Sequence, residues 1–254
     1  FIDTLGENIV KFSKRRFEFN DVYPYLYVQI YFKGIKRYEL VQHFVLDEMQ
    51  DYTPIQYAVL SSVFTCKRTI IGDFSQALLP YDTISKEAFA AMYNNLEYVE
   101  LTTTYRSSYE IAMYGKKFML NGEIHPIERH GREPIELMYD TLEQMVKQIH
   151  ENARNDYQST AIICKTERDL QVLKEHLNLS FTVLDGQSEK FETGLLLTTI
   201  QYAKGLEFDM VIIPFVNKVN YHTEFDNGLL YIASTRAMHE LMLLVDINAP
   251  SPLL

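Results

Sequence analysis

The sequence of 254 residues lacks the features that mark membrane and secreted proteins. No apolar run approaches the roughly 20 residues that a membrane-spanning helix needs. The chain also contains no tryptophan. The opening residues, FIDTLGENIVKF, do not join a basic segment to an apolar one, as a signal peptide does. We therefore expect no membrane association and no secretion signal. The absence of an initiator methionine suggests a piece of a longer protein.

Cysteine and histidine are too few and too scattered for a disulfide framework or a zinc site. The two cysteines, Cys66 and Cys164, lie far apart inside apolar runs, which is typical of reduced core residues in a cytoplasmic protein. None of the seven histidines shows ligand spacing. His125 and His130 are the nearest pair, and a zinc site would need two further ligands. We expect a cytoplasmic protein without a zinc site.

Acidic residues outnumber basic ones by 34 to 24, which gives a formal net charge of −10. This balance argues against a surface that coats nucleic acid broadly, although it is compatible with a narrow basic groove. The basic run Lys11–Arg16 is predicted to be a solvated helix face rather than a DNA contact. With 47% hydrophobic residues, the chain has enough apolar material for one large domain or two of ordinary size.

Short apolar segments alternate with amphipathic helical patterns in the second half of the chain. Thr160–Cys164 and Met210–Phe215 are continuous apolar segments of strand length, and an amphipathic helix is predicted near Glu167–Leu177. Continuous apolar strands separated by such helices predict an α/β fold with a parallel sheet and helices on both faces. The polar, turn-rich segment Pro126–Pro134 is a candidate linker.

Acidic residues directly follow two apolar segments in the first half of the chain. Asp47 and Glu48 follow the apolar residues FVL, and Asp73 ends the segment TIIGD. In parallel sheets, ligands bind outside the carboxyl ends of the strands. Carboxylates in that place can hold a magnesium ion and orient an attacking water. The alternative is a strand that ends in a solvated loop, with Asp51 or Thr53 capping the next helix.

Five segments occur in a fixed order over residues 40 to 245: DEMQD, GDFSQA, TTTYRSS, TTIQYAKGLEFD and LLYIASTRA. Together they resemble the motifs of the superfamily-1 helicases of the UvrD/Rep type. The resemblance implies an α/β fold of the P-loop NTPase type with two RecA-like halves, residues 1–106 and 107–254. It also implies an ATP-dependent DNA helicase that uses ATP and Mg²⁺, with single-stranded DNA as the expected partner.

The resemblance assigns the chemistry of hydrolysis to five residues. Asp47 would hold Mg²⁺, and Glu48 would be the base that orients the attacking water. Gln76 would sense the γ-phosphate. Arg106 and Arg236 would contact that phosphate from the two halves. Such arginines stabilise transition-state charge only when the halves close, which couples hydrolysis to motion.

The same resemblance assigns contacts with the nucleotide and the nucleic acid to five further residues. Tyr105 would stack on the adenine, and Glu207 would reach the ribose. Lys204 and Gly205 would shape the turn beside the ribose. Thr199 would face the nucleic acid.

The chain departs from the family pattern in three places. It has no G-x-x-x-x-G-K-[ST] loop, and of its ten glycines only Gly115 precedes a lysine. We expect the phosphate-cradling loop upstream of Phe1, and we expect the fragment alone to be inactive. Gln201 stands where many relatives carry a histidine. The residues ALLPYD after Gln76 lack the aromatic–arginine run that stacks single-stranded bases.

Details around the motifs point to one branch of the family. DEMQDYTPIQYAVL and LLYIASTRAMHEL resemble the HelD and DNA-helicase-IV-like group, in which some members act on RNA polymerase. The stretch between Arg106 and Lys204 has room for one compact half and none for the large accessory domain of other UvrD/Rep enzymes. Three hypotheses stay open: the motor core of a DNA helicase or translocase, a HelD-like ATPase that remodels RNA polymerase, and a binding module that lost hydrolysis.

Overall fold

The computed structural model of the chain describes residues 18–35, 38–78, 86–93, 96–119, 122–153, 156–186 and 193–254. The chain divides into two compact units, Phe1–Asn95 and Leu96–Leu254. This division precedes Tyr105 and Arg106, whereas the boundary predicted from the sequence follows Arg106. Both residues therefore belong to the second unit, together with the C-terminal motifs. The basic run Lys11–Arg16 lies outside the described residues.

The first unit contains a two-stranded parallel sheet and three helices in its described part. Strand β1 (His43–Leu46) pairs with β2 (Lys67–Ile70), and helix α2 (Pro54–Val63) connects them. Helix α1 (Phe19–Lys33) packs against α2. Helix α3 (Lys86–Met92) follows β2. The two strands are thus joined by a helical crossover, as parallel pairing requires.

A single-turn 3-10 helix lies shortly after each of these strands, Met49–Asp51 after β1 and Phe74–Gln76 after β2. Helix α2 begins with a capping box, in which Thr53 Oγ1 accepts from the Gln56 N–H and the Gln56 side chain accepts from the Thr53 N–H. Thr53, and not Asp51, is therefore the N-cap. The buried core of the unit is apolar and aromatic: Leu46, Met49, Tyr57 and Phe89.

The second unit begins with a short parallel pair. Strand β3 (Thr103–Thr104) pairs with β4 (His125–Pro126), and helix α4 (Tyr109–Lys116) connects them. The apolar residues of the segment YVEL predict a strand at Tyr98–Leu101, but in the structure these residues are exposed and belong to no strand. An apolar pattern of four residues is too short to specify a strand where the chain lies at the surface.

The second unit is built around a six-stranded sheet in which all neighbouring strands run parallel. The strands are, in chain order, β5 (Ile135–Tyr139), β6 (Ser159–Cys164), β7 (Thr182–Leu184), β8 (Gly194–Thr199), β9 (Phe208–Val216) and β10 (Ala237–Asp246). Their order across the sheet is β5-β10-β9-β6-β8-β7. The predicted α/β fold with a parallel sheet is confirmed.

Helices cover both faces of this sheet. Every residue of β6 is buried; Ile162 and Cys164 pack into one cluster with residues of helices α5 (Leu142–Asn152) and α6 (Glu167–His176). Because side chains alternate along a strand, the intervening Ile163 faces the other side. That side carries α4 and two later helices, α7 (Ile200–Ala203) and α8 (Glu224–Ser234). No helix in the described part of the chain is long and apolar enough to cross a membrane.

The parallel arrangement gives the sheet an amino end and a carboxyl end. At the amino end, β9 begins at Phe208 and β10 begins at Ala237, and these two residues are paired. At the carboxyl end, β6 ends at Cys164 and β8 ends at Thr199, and these two are also paired. Residues that precede β9 and β10 therefore lie at the end of the sheet opposite to residues that follow β6 and β8.

Candidate functional site

The two acids that follow β1 differ in their surroundings. Asp47 is exposed, and its Oδ1 accepts a hydrogen bond from the Glu48 N–H at 2.8 Å. Glu48 is half-buried and has φ 53° and ψ 47°. This left-handed conformation costs energy for a residue with a side chain, and such residues cluster at functional sites. The strained residue is the one that the family resemblance makes the catalytic base.

A chain of hydrogen bonds joins Glu48 to Gln76. Gln50 is 2% exposed; its Nε2 donates to Glu48 Oε2 at 2.6 Å, and its Oε1 accepts from the Asp73 N–H at 3.0 Å. Asp73 Oδ2 in turn accepts from Gln76 Nε2 at 2.9 Å. The structure thus links the predicted base, Glu48, to the predicted γ-phosphate sensor, Gln76. The links are Gln50, which had no predicted role, and Asp73, which was predicted only as a carboxylate at a strand end.

Gly72 provides the space that this chain of hydrogen bonds needs. A Cβ at position 72 would lie 2.4 Å from Gln50 Oε1 and 2.6 Å from the Met49 backbone nitrogen. The Met49 N–H donates to the Ile71 carbonyl at 3.0 Å, which holds the two loops together. Glycine is therefore needed at position 72 because two backbone segments and a side chain approach each other closely there.

Two residues predicted to contact the nucleotide contact each other in the second unit. The Arg106 guanidinium forms an ion pair with the Glu207 carboxylate, and the two side chains are 42% and 40% exposed. Tyr105, next to Arg106, is 67% exposed. These three side chains are accessible at the amino end of the sheet.

The loop that carries Arg106 is fixed to the start of β10. Ser107 Oγ donates to the Ala237 carbonyl at 2.6 Å, and the Ser108 N–H donates to the Met238 carbonyl at 3.1 Å. Because Glu110 follows Ser107 by three residues, the spacing of a capping box, the sequence predicts Ser107 as the cap of α4. In the structure Ser108 is the N-cap, and its side chain accepts from the Ile111 N–H. The second serine of TYRSS thus starts the helix, and the first anchors the loop.

Arg236 lies at the same end of the sheet but is buried, with 1% exposure. Its Nε donates to the Ile232 carbonyl at 3.1 Å, and its Nη1 donates to the Leu206 carbonyl at 3.4 Å. The Arg236 carbonyl accepts from the Phe208 N–H at 2.9 Å. The guanidinium therefore holds the end of α8 against the turn that precedes β9. Contact between Arg236 and a phosphate stays a prediction.

The turn Lys204–Glu207 places Glu207 beside Arg106. Gly205 in this turn has φ 80°, and no heavy atom lies within 4 Å of the position that its Cβ would take. The backbone conformation, and not a lack of space, therefore requires glycine at this position. The segments TYRSS, KGLE and STRA consequently meet at the amino end of the sheet.

Two comparisons connect this geometry with known proteins. Residues 194–244 match the model of the UvrD-like helicase C-terminal domain. The crystal structure of the C-terminal domain of a possible DNA helicase from Lactobacillus plantarum WCFS1 is 30% identical, with a TM-score of 0.50; the match covers 59% of this chain and 91% of that one. The chain belongs to the UvrD-like helicases.

The remaining comparisons add little to this assignment. A structure of the PRRSV helicase is 16% identical with a TM-score of 0.46, and the match covers 80% of this chain and 34% of that one. No curated protein matches the sequence. The predicted RecA-like fold of the UvrD-like domain is confirmed by its parallel sheet and by the helicase domain it resembles.

Thr199 of this UvrD-like domain lies at the opposite end of the sheet from the other predicted residues of the second unit. It is 3% exposed and ends β8 at the carboxyl end of the sheet, opposite Cys164. Arg106 and Glu207 lie at the amino end. Helix α7 and the turn after it run from Thr199 to Glu207, so one continuous segment joins the two ends of the sheet.

A buried ion pair lies near Thr199 at the carboxyl end. The Lys165 ammonium contacts the Asp226 carboxylate and donates to the Asn220 carbonyl. Burial acts to raise the pKa of Asp226, but hydrogen bonds from Lys165, from two backbone N–H groups and from the Thr223 hydroxyl outweigh it and lower the pKa to about 2. The pair fixes the start of α8 to the end of β6.

The residues of the first unit fit a magnesium ion that is held mainly by nucleotide phosphates. Mg²⁺ is commonly bound through one or two carboxylates together with substrate phosphates and water. Asp47 supplies an exposed carboxylate whose orientation is set by the Glu48 N–H. In the described residues, no group of three or more His, Cys, Asp or Glu side chains could hold a metal ion by itself.

Gln50 and Gly72 are residues of this site to which sequence reasoning assigned no role, and Asp73 was predicted only as a carboxylate at a strand end. All three stand inside the segments DEMQD and GDFSQA, so the motifs themselves carried the signal. Their contacts depend on the parallel pairing of β1 with β2, which brings the two loops side by side. The spacing of these residues along the sequence does not predict that the two loops lie side by side.

Proposed function

We propose that this UvrD-like chain is part of an ATP-dependent superfamily-1 DNA helicase or translocase, which couples ATP hydrolysis to movement on single-stranded DNA. One observation carries the proposal: TYRSS, KGLE and STRA, which are far apart in sequence, meet at the amino end of one sheet with two arginines among them. The similar Lactobacillus structure is named as part of a possible DNA helicase, which supports DNA as the nucleic acid.

The proposal gives most of the predicted residues a defined task. Glu48 orients the attacking water, and Gln76 and Arg106 contact the γ-phosphate. Tyr105 stacks on the adenine, and Glu207 reaches the ribose. Since Arg106 and Glu207 pair with each other here, nucleotide binding exchanges their ion pair for contacts with the phosphate and the sugar. An exposed pair of this kind contributes roughly 0–1 kcal/mol, so the exchange costs little.

Arg236, like Arg106, is proposed to contact the γ-phosphate, but its surroundings in this structure differ from those of Arg106. It is buried, with hydrogen bonds to carbonyl oxygens. Arginine keeps its charge when buried and presents five donors, so it can retain some of these bonds while others turn to a phosphate. Its action on the transition state therefore requires a local rearrangement at the turn Lys204–Glu207.

The proposed site needs two components that the described side chains do not supply, a magnesium ion and a P-loop. Mg²⁺ held at Asp47 would neutralise charge on the triphosphate. The 254 residues contain no P-loop, so the proposal assigns the cradling of the β- and γ-phosphates to polypeptide beyond them. We call a protein that carries these residues together with a P-loop the complete motor.

A HelD-like ATPase that remodels RNA polymerase is the second candidate. The described residues between Arg106 and Lys204 are occupied by α4, strands β4 to β8 and helices α5 to α7 of the second unit. They contain no separate accessory domain, which favours the compact branch of the family. The two candidates share the same hydrolytic residues and differ in the partner that stimulates turnover.

Steady-state ATP hydrolysis by the complete motor tests the proposal. We expect turnover that rises with single-stranded DNA and that falls by a factor on the order of 10² or more in Glu48→Gln, because the water loses its base. Glu39→Gln, an exposed acid in the same unit, should leave turnover unchanged. Stimulation by RNA polymerase and not by DNA would favour the second candidate. ATP binding without hydrolysis in the wild type would identify a non-hydrolysing module and overturn both.

A further inference from the structure

Gln50 joins the two loops of the first unit that carry the predicted catalytic groups. We propose that it is a positioning residue for ATP hydrolysis, which orients the Glu48 carboxylate and, through Asp73, the Gln76 amide. This inference rests on the proposed function. Its geometry consists of three consecutive hydrogen bonds, of 2.6, 3.0 and 2.9 Å, that run from Glu48 through Gln50 and Asp73 to Gln76.

The chemistry of this position selects glutamine. Its side chain must donate at one end to a carboxylate and accept at the other from a backbone N–H. A glutamate would present only acceptors and would repel Glu48, and a lysine could not accept from Asp73. A methionine of similar length would make neither bond. Since Gln50 is 2% exposed, water cannot readily replace these bonds.

The backbone on both sides shows that this contact is built into the fold. Glu48 is held in the left-handed region, which aims its side chain toward Gln50. Gly72 provides the space that the Gln50 carbonyl oxygen occupies. Asp73 also accepts from the Ser75 N–H at 2.8 Å, so the same carboxylate starts the 3-10 helix that carries Gln76. A displacement of Gln50 should therefore move both the Glu48 side chain and the 3-10 helix that carries Gln76.

The consequence for catalysis is geometric. A general base acts only when its carboxylate lies within hydrogen-bond reach of the attacking water. A displacement of about 1 Å at such a group lowers rates by a factor on the order of 10². Gln50 touches neither water nor nucleotide in this account, so its loss should lower kcat and leave the KM for ATP nearly unchanged.

The kinetic test compares two glutamines of the first unit in the complete motor. Gln50→Met should lower kcat by a factor of about 10 to 100, with KM within about twofold of the wild type. Gln56→Met is the matched control, because Gln56 belongs to the capping box of α2 and not to the chain of bonds; it should lower the Tm and leave kcat unchanged. Adding Gln50→Met to Glu48→Gln should lower kcat by less than Gln50→Met does in the wild type, since the base that Gln50 orients is already absent and only its effect on Gln76 is left.

Amide hydrogen exchange in the 254-residue chain tests the contact without any catalysis. The Asp73 N–H should exchange about tenfold or more faster in Gln50→Met, because it loses its acceptor, and at the wild-type rate in Gln56→Met. Suppose that the wild type is active and depends on Glu48. An unchanged kcat in Gln50→Met, or an equal loss from Gln50→Met with and without Glu48, would then overturn the role of Gln50 alone. Unchanged Asp73 exchange would do the same. A wild type without turnover would overturn the proposed function as well.

Discussion

Tyr105 presents its ring at the surface of the second unit, with 67% exposure, beside the ion-paired Arg106. If the ring stacks on adenine, Tyr105→Ala should weaken nucleotide affinity by roughly 1–3 kcal/mol, the range of base–aromatic stacking. The Tm should hardly change, because an exposed ring contributes little to the core. Tyr98→Ala, another exposed tyrosine of this unit, is the control. Titration of a fluorescent ATP analogue into the complete motor measures the effect, and equal affinities for both variants would contradict the assignment.

Arg236 is expected to affect both stability and turnover, because it is buried and holds the Ile232 and Leu206 carbonyls. Arg236→Ala should lower the Tm by several degrees and reduce kcat by a factor on the order of 10³ or more. Kinetics must therefore be measured well below the melting temperature. Arg236→Lys keeps a positive charge but lacks the planar fork of donors, so we expect an intermediate kcat. A folded Arg236→Ala protein with near-normal kcat would exclude the proposed contact with phosphate.

Asp226 makes the stability of the second unit depend on pH in the acid range. Its pKa is about 2 in the folded chain against an ordinary value of 3.8. The ionised carboxylate is therefore stabilised by folding; the contribution is present above pH 3.8 and is lost as the pH falls toward 2. A difference of this size corresponds to roughly 2 kcal/mol of unfolding free energy.

Lys165→Met should cost more than that contribution, because it removes a hydrogen bond that stabilises the ionised carboxylate and also leaves the buried charge without its cation. We expect a loss of about 3 kcal/mol near neutral pH that shrinks as the pH falls toward 3. Lys147→Met is the matched control, since Lys147 forms an exposed pair with Glu151 at 3.8 Å and such pairs contribute little. Urea unfolding between pH 3 and pH 7 measures both, and equal losses at every pH would contradict the account.

At the scale of single elements, the capping box of α2 offers a separate test. Thr53→Ala removes the side-chain acceptor for the Gln56 N–H and should cost about 1 kcal/mol of unfolding free energy. Ser62→Ala, within the same helix, removes a hydroxyl that donates to the Ala58 carbonyl at 2.8 Å and should cost less. Chemical unfolding of both variants decides whether Thr53 caps the helix as the structure shows.

The elements that the sequence predicted well are those with a continuous pattern. Thr160–Cys164 and Met210–Phe215 are strands because they are buried on both faces, and an unbroken apolar run is the sign of that burial. Tyr98–Leu101 is apolar in part but exposed, and it forms no strand. The choice between Ser107 and Ser108 as the cap of α4 depended on the loop contact with Ala237, which local sequence does not encode.

The sequence predicted which residues belong to the candidate site, but not which of them contact each other. The motifs named Glu48, Gln76, Arg106 and Glu207, but they gave no sign that Arg106 pairs with Glu207. They also gave no sign that Gln50 bridges two loops. Such contacts follow from how strands pair and turns close, and these are properties of the folded chain.

At the scale of the whole molecule, the 254-residue chain should bind ATP weakly and hydrolyse it negligibly. It contains no P-loop, so it lacks the backbone N–H groups and the lysine that hold the β- and γ-phosphates. The complete motor assayed in parallel is the positive control. Turnover by the isolated chain that disappears in Glu48→Gln would show that another segment of the chain cradles the phosphates.

The central claim is the proposed nucleotide site, in which the predicted motif residues bind Mg²⁺ and the triphosphate. A crystal structure of the complete motor with Mg²⁺, a slowly hydrolysed ATP analogue and single-stranded DNA tests it most directly. We expect Asp47 at the metal, Gln76, Arg106 and Arg236 at the γ-phosphate, and Tyr105 against the adenine, with the ion pair between Arg106 and Glu207 broken. A nucleotide bound elsewhere, with that pair intact and Arg236 still held by the Ile232 and Leu206 carbonyls, would contradict the account.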